Sequence, residues 1–126
     1  MKSLLDDLLK LLHKQVDLYK NLLAVLNKEN EIILSASVEA LSLNNKKKEV
    51  VILQIKLLDE SCLKLVDKIY QKMPRPAGSP SLADLIEQSS LPSMAPLKSC
   101  YATLLSVARS VRELNIINER LIKGSL

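Results

Sequence analysis

Leu5, Leu8, Leu12, Tyr19, Leu22, Leu26 and Ile33 recur at steps of three and four residues, with Gln15 and Glu29 as polar interruptions of the stripe. That period marks an amphipathic α-helix, because 3.6 residues per turn returns every third or fourth side chain to one face. It predicts a first helix over residues 3–34, about 48 Å long at 1.5 Å per residue. Ser35-Ala36-Ser37 supplies small, cap-forming residues where the periodicity ends, with Ser37 the N-cap of a second helix over residues 38–72. There Leu41, Ile52, Ile55, Cys62, Val66 and Ile69 resume a seven-residue pattern, with Asn45, Lys48 and Asp59 at seam positions. Two helices of similar length joined by so short a turn fold back antiparallel as a long hairpin.

All five prolines, Pro74, Pro76, Pro80, Pro92 and Pro96, fall in one window. A proline in a helix interior costs about 3 kcal/mol, so residues 73–96 read as a Pro-rich connection between two helix-permitting regions. Residues 73–80 read as a loop, and Ser81 with Asp84 forms a capping arrangement for a short helix over 81–89. Ser93 and Pro96 open a last helix over 96–123, proline being tolerated in a first turn. Its stripe is Leu97, Tyr101, Leu104, Ala108, Val111, Leu114, Ile117, Leu121 and Ile122. This helix must cover the seam of the hairpin, or both apolar faces would stay wet. The expectation is one all-α domain over residues 1–126, a coiled-coil-like bundle of three long helices plus one short helix.

Composition reinforces the helical reading: 27 of 126 residues are Leu, Trp and Phe are absent, and there are only 2 Gly. Such a chain lacks the aromatics and turn glycines that sheets use. One histidine and two distant cysteines give neither metal-ligand spacing nor a CxxC pair, so no metal is expected. With Gly78 and Gly124 alone, no phosphate-cradling loop can be written, and no cofactor is expected. No apolar run approaches the ~20 residues that cross a bilayer, which argues against membrane insertion. The N-terminus alternates apolar and charged residues from Leu4 onward, unlike a secretory signal. Cys62 and Cys100, both on helical segments, fit a reducing cytoplasm and are expected to remain free thiols.

Net charge is +4, concentrated locally only at Lys46-Lys47-Lys48. Without stacking aromatics or a recognition helix beside it, that run reads as a solvated face, and no nucleic acid is expected. His13 and Asp17 lie four apart, but no nucleophile or oxyanion donor accompanies them, and Asp6/Asp7 and Asp59/Glu60 are adjacent pairs whose side chains diverge on a helix. Cys62 on the seam reads as a small buried hydrophobe. The chain therefore does not read as an enzyme, and a helical surface for another protein remains. From Leu114 to Leu126, Asn115, Asn118, Ile122 and Ser125 fall on neighbouring turns beside the stripe of Leu114, Ile117, Leu121 and Ile122. Amides at those positions either bond a partner or fix helix register. Leu114 and Ile117 are expected nearer the bundle, with Leu121, Ile122 and Leu126 outermost, where Gly124 weakens helix order.

Three segments carry a family likeness: Leu4-Leu5-Asp6-Asp7-Leu8-Leu9, the junction from Leu26 through Val38-Glu39-Ala40-Leu41 to Glu49, and the terminal pattern Asn115, Asn118, Leu121, Ile122, Ser125, Leu126. In these the chain resembles the FlgN family of flagellar type III export chaperones, small helical proteins of the cytoplasm. The resemblance implies binding of hook-associated, hook-filament junction proteins and their delivery to components of the export apparatus. It also implies that the C-terminal region does the binding, here Leu114, Asn115, Ile117, Asn118, Leu121, Ile122, Ser125 and Leu126. By the same resemblance, family members usually continue beyond the Ser-Leu pair with a further apolar helical stretch, where this sequence stops at Leu126. An unassembled filament subunit exposes apolar stripes that a matching helix can occupy, and burying ~500 Å² would yield on the order of 10 kcal/mol before ordering costs. The competing expectation is a coiled-coil scaffold or adaptor that forms a homo-oligomer through the same C-terminal helix.

Overall fold

A computed structural model of the chain describes residues 2–73, 81–88 and 94–125. Its elements in order are α1 (Lys2–Ser35), α2 (Val38–Gln71), α3 (Leu82–Gln88) and α4 (Ala95–Ser125). No strand occurs among the described residues, and the fold is an all-α bundle as the periodicity predicts.

The turn between α1 and α2 is built by local chemistry. Ala36 takes a left-handed conformation, φ 58°, and its N–H donates to Ile33 O at 3.2 Å, closing α1. Ser37 then sits in extended conformation, and its Oγ accepts the N–H of Ala40 at 3.3 Å. This is the N-cap expected of it. Ser81 Oγ likewise accepts the N–H of Asp84 at 3.1 Å at the start of α3. The expected loop over 73–80, beyond Met73, and the cap at Ser93 lie outside the described residues.

Two apolar clusters hold the bundle. One joins Leu8, Leu12 and Val16 of α1 to Val66, Ile69 and Tyr70 of α2, Leu85 of α3, Met94, and Leu97 and Cys100 of α4. The second joins Leu22 and Leu26 to Val51, Ile55 and Val111. α1 is therefore antiparallel to α2 and parallel to α4, and lies closely against both. Between α2 and α4 a groove of about 370 Å³ remains, floored by Leu22, Ile55 and Val111 and edged by Lys56, Asp59 and Arg112. α4 therefore lies on the α1 side of the hairpin.

Some seam positions differ from the predicted ones. Asn44 rather than Asn45 is the buried amide of α2, Val51 is buried beside the half-buried Ile52, and Ile32 rather than Ile33 is the buried residue near the end of α1. A straight helix drifts about 20° per heptad against a strict seven-residue repeat, which over 34 residues moves the buried position to a neighbour.

Candidate docking surface

The C-terminal half of α4 is fastened by a buried polar network. Asn118 is 0% exposed. Its Nδ2 donates to Leu26 O at 2.9 Å and to Glu29 Oε1 at 3.0 Å, and its Oδ1 accepts from Asn30 Nδ2 at 3.0 Å. Glu29, also buried, has its Oε2 3.2 Å from Lys48 Nζ. Asn44 Nδ2 donates to Val25 O at 3.1 Å one turn away. All three long helices thus meet at one polar level, where each buried group that helps position the others is itself partnered. Such a layer is satisfied in only one rotation and one translation of α4, so it sets register.

The placement corrects two expectations. Asn118 has no surface to offer a partner, because its amide is committed to α1. Lys48 is not part of a solvated basic face, because it neutralises a buried carboxylate. The remaining predicted positions divide by where α4 turns them. Leu114 is half-buried against the second cluster, as expected of it. Ile117, expected nearer the bundle, is 49% exposed, and Leu121 is 37% exposed. Asn115 is half-buried; its Nδ2 donates to Glu119 Oε1 at 3.4 Å on its own helix, while its Oδ1 is buried without a partner among the described residues. Ser125 closes α4, and Leu126 lies outside the described residues.

Ile122 occupies a different setting. It lines an apolar cleft of about 250 Å³ with Ile32, Ile33, Ala36, Ser37, Val38 and Leu41, where the end of α4 meets the turn between α1 and α2. Val38 at the mouth is 80% exposed, and Leu34 beside the turn is also largely exposed. The turn residues were absent from the predicted set, although Ile32-Ile33-Leu34 continuing around the helix end and Val38 directly after the cap were a readable signal. An apolar concavity with an exposed apolar rim suits another protein's helix.

Both thiols are held in their protonated form. His13 Nδ1 lies 3.7 Å from Cys100 Sγ, a pairing the sequence did not suggest. Burial, and then the nearby Asp17, push the Cys100 thiol up, which opposes the thiolate a nucleophile needs. Cys62 is pushed up to about 11 by burial and by Asp59. Asp59 is itself raised by burial, although the buried Gln15 donates Nε2–H to its carboxylate. Both cysteines are free thiols in the apolar interior. Among the described residues no group of three His, Cys, Asp or Glu converges to hold a metal, and no helix is long and apolar enough to cross a membrane.

The fold is thus a helical bundle with a polar register layer and an apolar cleft at one end. Comparison with family profiles places it: the profile described as FlgN protein matches residues 1–126, and the chain belongs to that family, whose members are flagellar export chaperones. Comparison with curated proteins and with solved structures returns no match.

Proposed function

We propose that this chain captures unpolymerised hook-associated, hook-filament junction proteins in the cytoplasm and delivers them to the type III export apparatus. Capture takes place at the bundle end formed by the turn between α1 and α2 and the last turns of α4. The observation that carries this reading is the cleft lined by Ile122 and the turn, with Val38 and Leu34 exposed beside it and Ile117 and Leu121 exposed on α4. A filament subunit's terminal helix, apolar along one stripe, can lay that stripe against this end and so be kept from pairing prematurely. No covalent step is needed, and affinity stays moderate because ordering the partner offsets much of the apolar gain.

The test uses isothermal titration of the full chain with purified hook-associated proteins from the same genome. Val38→Ser and a Leu121→Ser/Ile122→Ser double variant should each weaken binding by about ten-fold, roughly 1.4 kcal/mol. Val38 is so exposed that its replacement should leave thermal unfolding unchanged. Unaltered affinity in the Val38 variant, with loss in the double variant only in proportion to unfolded protein, would show that the bundle end is not the capture site.

A further inference from the structure

α2 is apolar on two sides. Its core side is filled by Val51, Ile55, Cys62, Val66 and Ile69. On the other, Leu43, Val50, Leu53 and Leu57 each remain 56–63% exposed. At about 100° per residue these four fall within roughly 80° of arc, centred on the order of 145° from the core face. Leu43, Val50 and Leu57 are spaced by sevens with Leu53 between the last two, which is the knob spacing of a coiled-coil seam.

The charges around this seam reverse sign about its middle. A two-fold axis between Leu53 and Gln54, perpendicular to the helix, sets Val50 opposite Leu57 of an antiparallel copy. The same axis sets Lys46 and Lys47 opposite Glu60, Glu49 opposite Lys56, and Glu39 opposite Lys68, each to within two residues. Lys64 falls opposite Leu43, where its alkyl stem can cover the leucine. All eight of these charged side chains are exposed along α2, and ion pairs among the described residues are confined to Lys28–Glu31 and Lys48–Glu29. A surface that is its own complement under reversal is what an isologous contact requires, since residue i must meet j while j meets i.

We infer that the outer stripe of α2 pairs antiparallel with the same stripe of a second copy of this chain. The pairing places both α1 helices on the outside and leaves the bundle ends free. Four exposed apolar residues per copy fall short of the ~800 Å² per partner of a standard interface, so the dimer is weak, micromolar and salt-sensitive.

Light scattering and sedimentation of the full chain over a concentration series should show monomers giving way to dimers, and never to higher species. Lys46→Glu should weaken association by about ten-fold, and adding Glu60→Lys to it should restore association, because the exchanged pair is again complementary. Oxidation should cross-link Leu53→Cys between copies. It should leave Leu43→Cys monomeric, since paired copies hold position 43 about 30 Å apart by the 1.5 Å rise. The wild-type chain, whose thiols are buried, serves as control. A chain that stays monomeric to about 1 mM, cross-linking at both positions or at neither, or a charge reversal without rescue overturns the inference. So does a monomeric chain whose stripe variants lose hook-associated proteins, because the stripe then belongs to that partner.

Discussion

Replacing Asn118 by Ala separates the register layer from the docking surface. The substitution removes two hydrogen bonds to neutral partners, Leu26 O and Asn30 Nδ2, and one to the Glu29 carboxylate. Neutral bonds contribute about 1 kcal/mol each and a charge-assisted one about 1.5–3 kcal/mol. Lys48 stays 3.2 Å from Glu29 and keeps the carboxylate from being orphaned, which holds the loss near the lower end. The expected destabilisation is about 3.5 kcal/mol, a fall of roughly 14 °C in midpoint for a domain of this size. Asn118→Leu, which refills the volume, should recover part of the loss but still leave Asn30 and Glu29 short of a partner. Urea unfolding gives the free energy, and titration with hook-associated protein, corrected for folded fraction, gives binding. If Asn118→Ala unfolds like the wild type and instead loses partner binding, the amide is a docking group and the register argument fails.

Ala36→Gly should stabilise the chain by about 0.5–1 kcal/mol, because Ala36 holds φ 58°, a conformation costly to a side chain and free to glycine; unchanged or lower urea resistance would contradict the strain at this turn. Cys62, with its thiol raised from 9.0 to about 11, should react with a disulfide reagent at pH 8 roughly a hundred-fold more slowly in the native chain than after unfolding. Its folded pKa lies above the unfolded one, so its contribution to stability is full below pH 9 and is lost as pH rises toward 11. A Cys62→Ala variant should lack that alkaline loss, and an identical alkaline limb in both proteins would refute the assignment.

Local physics is written openly in this sequence. The three-and-four spacing, the Ser37 and Ser81 caps and the proline window determine helix, break and helix, because each depends on residues a turn apart. With no Trp or Phe and only 2 Gly, the chain offers little to a competing sheet. The terminal pattern shared with the family also points to protein binding. Tertiary structure alone decided which apolar and amide positions are inside. Asn115 and Asn118 look equivalent as letters, three residues apart on one helix. Packing on α1 rotates Asn118 fully into the interior and leaves Asn115 at its edge. Ile122 became part of a cleft only because the turn between α1 and α2 comes to rest beside it, a meeting of residues about eighty-five apart in sequence. The second apolar side of α2 is visible as leucines in the chain, yet which side is core depends on where α1 and α4 settle. Those rotations are fixed by the summed packing of three helices and by one polar layer, and no single helix carries that information.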